Sequence, residues 1–191
     1  KFVKVQKKSF IEENRELKED EYKSLLMSAK KKGNIRLYHI LLTLCGTGIR
    51  ISELRYITAN AVLQGRAEIN MKGKHRVVLL PNELKNRLKD YMSLKNISQG
   101  CVFITKNGNP VDRSNIFHEM KRLSAAAGVE KQKVYPHNFR HLFARTFYAV
   151  EKNLSHLADI LGHSSIETTR IYVASSYKNF DKILDKMQLI I

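Results

Sequence analysis

The chain predicts an α+β fold, predominantly α-helical with a small three-stranded antiparallel sheet. Three observations carry that prediction. Apolar residues recur at three- and four-residue steps through most of the sequence, as they do in helices with one buried face. One stretch, 61–80, breaks this rhythm and alternates every second residue. Glycine, proline and helix-capping residues fall at the seams between the periodic stretches.

Residues 1–14 are polar and mixed in charge and read as a linker from a region upstream. The first residue is Lys1 rather than methionine, which fits a piece of a longer protein. One domain follows over 15–191, a length that suits a single core. From Glu19 to Lys32 the positions Tyr22, Leu25, Leu26 and Ala29 share a helix face, and Lys30-Lys31-Lys32-Gly33 closes that helix with cations and a glycine. A second helix puts Leu37, Ile40, Leu41 and Leu44 on one face and ends at Gly46-Thr47-Gly48. A third carries Arg50 and Glu53, three apart and able to pair.

A short strand before Gln64-Gly65, the alternating run Ala67-Glu68-Ile69-Asn70-Met71, and Val77-Val78-Leu79-Leu80 make the three strands. Pro81 stops the last of them. Asn82 caps a helix with Leu84, Leu88, Tyr91 and Met92 inside. Cys101 to Ile104 reads as one more short strand, closed by the turn Asn107-Gly108-Asn109-Pro110. Asp112 caps a helix to Gly128 with Ile116, Met120, Leu123 and Ala127 facing in, and Lys121 and Arg122 on its other side. A last helix from about residue 178 carries the apolar stripe Phe180, Ile183, Leu184, Met187, Ile190 and Ile191.

With 34 Lys and Arg against 18 Asp and Glu, the formal net charge is +16 and the pI about 9.9. That excess favours a polyanionic partner, although a lysine-rich surface accounts for it nearly as well. Tryptophan is absent and aromatics are sparse, which argues against reading nucleic acid by base stacking. No apolar run is long enough to span a bilayer and no secretory segment opens the chain, so no membrane partner is expected and the cytoplasm is the expected compartment. Cys45 and Cys101 sit in apolar stretches and read as buried, reduced thiols.

The chemistry-bearing residues gather late in the chain. In Pro136-His137-Asn138-Phe139-Arg140-His141, His137 and Arg140 share a helix face. In Leu161-Gly162-His163, the glycine can close a helix in the left-handed conformation and present His163 at the break. Ser164-Ser165-Ile166-Glu167 then reads as a capping box for a helix that carries Tyr172. His137 and His141 at i, i+4 could hold a metal, but Arg140 between them disfavours a dication and no carboxylate accompanies them.

These segments, with Gly46-Thr47-Gly48-Ile49-Arg50-Ile51-Ser52-Glu53-Leu54 upstream, resemble the motifs of the tyrosine recombinases, the phage-integrase family of site-specific DNA recombinases. The resemblance runs from about Leu17 to about Phe180 and places four motifs in the family's order. It implies the family's catalytic-domain fold, with 1–14 leading from a missing N-terminal DNA-binding region. It implies double-stranded DNA as partner, assembly into a tetramer on DNA through the C-terminal helix, and no cofactor, metal or ATP. The stripe on that helix also suits folding back on its own domain.

Cleaving a phosphodiester requires neutralising its nonbridging oxygens, supplying a nucleophile and protonating the leaving oxygen. Arg50 and Arg140 suit the first task, each with a planar fork that stays charged. The resemblance makes Tyr172 the nucleophile, His137 the base or proton relay, His163 a hydrogen-bond donor to the phosphate, and Lys72 the general acid, with Lys74 in reserve. Glu53 and His141 are expected to support the site. Lys74, Arg76, Lys121 and Arg122 are expected to meet the DNA backbone. The product implied is a 3′-phosphotyrosine link and a free 5′ hydroxyl. Arg140→Ala is expected to abolish cleavage and leave the fold near wild type. Two rivals remain on this reading: a type IB topoisomerase, and a non-catalytic DNA-binding protein that keeps the fold.

Overall fold

A computed structural model describes residues 15–71, 73–163, 166, 168 and 169 of the chain. The axis of the fold is the helix Ile35–Thr47, α2. Its Leu37, Ile40, Leu41 and Leu44 are buried as their spacing predicts, and Tyr38, His39 and Thr43 are buried with them. A helix covered on all sides needs neighbours all round. They are α1 (Glu19–Lys31), α4 (Asn82–Leu94), α5 (Arg113–Ala126) and α6 (Pro136–Glu151). Each leucine fully buried in this way contributes about 2 kcal/mol. The polar residues of α2 are satisfied locally: Thr43 and Thr47 donate to the carbonyls one turn back, at 2.7 and 2.6 Å.

α2 starts at Asn34, whose Oδ1 accepts from the Leu37 N–H at 3.1 Å, and stops at Gly48 with φ +63°. A Cβ on Gly48 would lie 2.4 Å from Phe143 Cδ1 on α6. Glycine is therefore needed there for the left-handed turn and for the close approach of α6.

The expected third helix is a six-residue 3-10 turn, Ile51–Tyr56, with Arg50 at its N-cap rather than inside it. The expected first strand is also helical. α3 (Ala59–Gln64) starts where Thr58 Oγ1 accepts from the Ala61 N–H at 3.1 Å, and ends at Gly65 with φ +74°. A capping threonine ahead of Ala59, Ala61 and Leu63 outweighs the strand preference of Val62. Among the described residues the sheet has two strands rather than three, β1 (Arg66–Met71) and β2 (Lys74–Leu79). They form an antiparallel hairpin with Met71 opposite Lys74.

Cys101 to Ile104 is not a strand either. It makes single bridges, Cys101 to Thr58 and Ile104 to Pro110. Both cysteines are free, and both are half-buried rather than buried. Burial nonetheless pushes the Cys45 thiol up to about 12.

α4 buries its predicted stripe and α5 buries Ile116, Met120 and Leu123, while Ala127 is half-buried just past the helix end; Asp112 Oδ1 caps α5 by accepting from the Ser114 N–H at 2.7 Å. α7 (Leu154–Leu161) ends at Gly162 with φ +65°. The protein is thus a mostly helical α+β domain with one small antiparallel sheet. No helix among the described residues is long and apolar enough to cross a membrane. The 1–14 linker, Lys72, the Ser164–Glu167 capping box, Tyr172 and the last helix from about 178 lie outside the described residues, apart from Ile166.

Candidate active site

α6 opens on Pro136, whose fixed φ and missing N–H suit a first helical position. Asn138 roots this end of the helix, its Nδ2 donating to the carbonyls of Arg15 and Lys133 at 2.7 and 2.8 Å. His137, Arg140 and His141 follow from that start within the first two turns.

Arg140 is only 1% exposed. Its guanidinium donates to the Gly48 carbonyl and, at 2.7 Å, to the Leu161 carbonyl. Gly48 and Leu161 stand at the C-terminal ends of α2 and α7. There the carbonyls lack partners within the helix and the helix dipole is negative. Two helix ends therefore hold a cation whose unassisted burial would cost several kcal/mol.

Arg140 Nη2 also lies 2.9 Å from His163 Nε2. A guanidinium has donors only, so Nε2 must accept, and His163 carries its proton on Nδ1. That proton points at Thr169 Oγ1, 2.8 Å away. Burial, then Arg140, Arg50 and Arg76, pushes the His163 pKa down to about 4, in keeping with a neutral ring.

Arg50 is held differently. Its Nη1 donates to Glu53 Oε1 at 2.9 Å and its backbone N–H to Oε2 at 2.7 Å, while two-fifths of its side chain stays exposed, at 40%. Glu53, the expected supporting residue, is 2% exposed. His137 is exposed beside these groups. Loss of surrounding water, then Arg140 and Arg50, lowers its pKa below the ordinary range, leaving an imidazole free to take a proton. His141 is half-buried behind the site, pushed down to about 4 by burial and then by Arg145, His137, Arg140 and His163.

Arg50, His137, Arg140 and His163 thus come together from the 3-10 turn, the start of α6 and the end of α7. Arg76 joins them, rather than standing out among the residues expected to meet the DNA backbone. It points inward and donates to Glu53 Oε2 at 2.6 Å. The signal was present in β2, since Arg76 falls on the same side as the buried Val78 and Leu80.

Lys121 and Arg122 are placed on the outer part of α5. The Lys121 ammonium donates to the Lys131 carbonyl and sits over the rings of Phe117 and Tyr135 at 5.2 and 5.8 Å. Arg122 lines a cleft of about 320 Å³ with Lys32, Arg36 and Glu119. The part of α5 next to the arginine cluster is its first turn, which sequence reasoning passed over. Arg113, Ser114 and His118 line a cavity of about 380 Å³ with Ile51 and Pro136, the neighbours of Arg50 and His137. Among the described residues no three His, Cys, Asp or Glu side chains gather as a metal site would require.

The fold and the cluster define a helical domain that brings guanidinium and imidazole groups close to one another. Comparison with known proteins makes this specific: the model described as the phage integrase family matches residues 15–179, and the chain belongs to that family. Its relatives are tyrosine recombinases. The tyrosine recombinase XerH of Campylobacter jejuni is 34% identical over 165 residues, covering 83% of this chain and 45% of the relative. XerA of Thermococcus kodakarensis is 30% identical over 158 residues, covering 79% and 55%. The chain spans about half the length of these curated relatives. A crystal structure of XerA recombinase superimposes with a TM-score of 0.77 at 25% identity, over 100% of this chain and 68% of that one. The fold is shared with a lambda integrase tetramer bound to a Holliday junction, at TM-score 0.67 and 16% identity, over 84% and 49%.

Proposed function

We propose that this chain is the catalytic portion of a site-specific recombinase that cuts and rejoins duplex DNA through Tyr172, without metal or ATP. The observation that carries the reading is the convergence of Arg50, His137, Arg140 and His163 from three separate elements. A phosphodiester seated there receives the exposed donors of Arg50 and the charge of Arg140 on its nonbridging oxygens. His137, neutral at pH 7, takes the Tyr172 proton as the phenol attacks phosphorus. The bond to the 5′ oxygen breaks, Lys72 protonates that oxygen, and a 3′-phosphotyrosine link remains. Rejoining runs the same steps backwards and conserves the phosphodiester.

His163 enters this scheme with its Nε2 turned to Arg140 as an acceptor. Donation from Nε2 to the phosphate requires a proton on that nitrogen, supplied by a second protonation of the ring or by the tautomer in which Nδ1 accepts from the Thr169 hydroxyl. The arriving anion favours that proton by offsetting the guanidinium charges that depress the pKa. The +16 net charge supports binding through phosphates, with Lys74, Lys121, Arg122 and Arg113 as backbone contacts and a steep dependence on salt. Self-assembly into a tetramer on DNA through the C-terminal helix that carries the Phe180, Ile183, Leu184, Met187, Ile190 and Ile191 stripe, and a cytoplasmic setting, complete the proposal.

The test is covalent trapping. Wild-type protein with nicked duplex DNA accumulates a protein–DNA adduct that survives denaturation, and Tyr172→Phe forms none. Equal adduct from both would overturn the enzyme reading and leave a DNA-binding protein in its place. Relaxation of supercoiled plasmid by monomers, with no second site, would turn the reading toward a topoisomerase.

A further inference from the structure

We propose that Arg76 is a positioning residue for the recombinase reaction, tying the β1–β2 hairpin to both the Arg50 turn and the His163 corner without touching DNA. The proposal rests on the recombinase reading and deepens it. Three contacts and a low exposure carry it. Arg76 Nη2 lies 2.6 Å from Glu53 Oε2, the oxygen that also accepts the Arg50 N–H. Its Nη1 donates to the Ile160 carbonyl in the last turn of α7. Its stem runs across Gly162, where an added Cβ would stand 2.3 Å from Arg76 Cδ and 2.7 Å from Nε. The side chain is 13% exposed, far from the open presentation of a residue that meets a phosphate backbone.

One side chain therefore touches the carboxylate that orients Arg50, the last turn before His163, and the glycine that turns the chain between them. It stands in β2, the strand that begins two residues after Lys72 in the sequence. Glu53 gains a second cation from it. Two guanidinium groups and a backbone amide then satisfy a carboxylate that is almost wholly buried. Removing the Arg76 fork leaves every proposed phosphate ligand in the chain but releases the parts that hold two of them and the hairpin in register. Small misplacements of this kind cost about 100-fold in rate.

The experiment uses the full-length protein and a nicked duplex, selected from a random-sequence pool by covalent capture on wild type. Single-turnover cleavage at saturating protein is measured beside DNA affinity as a function of salt. Arg76→Met is expected to cleave about 100-fold more slowly, by the same misplacement argument, with dissociation constant and salt slope unchanged. Arg76→Lys, whose single ammonium reaches Glu53 or the Ile160 carbonyl but not both, is expected to recover part of the rate. It also carries the test if Arg76→Met does not fold.

Weaker binding with a salt slope lower by about one would make Arg76 a phosphate contact and overturn the proposal. So would wild-type cleavage per bound molecule in Arg76→Lys alongside a lowered melting temperature, which is the pattern of a purely structural residue. If wild type itself captures no DNA through Tyr172, the recombinase reading falls first and this proposal with it.

Discussion

The two arginines of the site are built in opposite ways. Arg140 is 1% exposed and is held by carbonyl oxygens at the ends of α2 and α7. Arg50 keeps 40% of its side chain in solvent and is held by the carboxylate of Glu53. The first is a member of the core that happens to be charged; the second is a surface residue aimed by a buried acid. A cation of the first kind is placed by folding itself. One of the second kind is placed by a local ion pair, and its remaining donors stay open to a ligand.

The largest expected effect separates these roles. Arg140→Ala is expected to lose cleavage by about three orders of magnitude, as removal of a positioned donor to a developing charge can do. It is also expected to lower stability by about 3 kcal/mol, because two buried carbonyls lose their donor. That replaces the expectation of a near-wild-type fold, and urea unfolding measures it. An unchanged midpoint would show that Arg140 is no more built in than Arg50.

Arg50→Ala comes next. Cleavage is expected to drop by about 100-fold. Stability should drop by only about 1 kcal/mol, because Arg76 stays on Glu53. If the two variants unfolded at the same urea concentration, the contrast between a core cation and an aimed one would be gone.

The remaining effect is a pH dependence, which falls on stability rather than on cleavage. His141 and His163 both sit at about 4 in the fold, against about 6.5 in an unfolded chain. Between those values the unfolded chain takes up protons that the folded one refuses. Stability from these groups is full above pH 6.5 and declines as pH falls toward 4. Urea midpoints at pH 7.5 and pH 5 should show the decline, and His141→Gln should flatten it. No difference between wild type and His141→Gln would mean that the ring is as well hydrated in the fold as outside it.

Much of the frame was legible in the sequence because it rests on local signals. The i, i+3 spacing of His137 and Arg140, the stop at Gly162 and the cap at Asp112 each act within a turn or two of chain. The expected first strand is a helix because Val62 and Leu63 suit either state, and Thr58 decides for helix through one hydrogen bond. Arg76 was misread for another reason. Its neighbours Lys72 and Lys74 advertise an exposed turn, whereas its own face is set by the period-two pattern running back from Leu80. Its partners on Glu53 and Ile160 are distant in sequence, and spacing cannot reveal them. The burial of Arg140 was hidden likewise, since a charged residue on a helix face is ordinarily solvated.

Both helices that grip Arg140 finish at a glycine in the left-handed conformation. Had either run on for another turn, its own amides would have consumed the very oxygens that now face the guanidinium. The anchorage of the most deeply set cation is thus made by termination: where two coils give out, their unclaimed electron pairs become its seat. Lengthening a helix by a few residues, usually a benign way to firm up a protein, would here dismantle the place it was meant to reinforce.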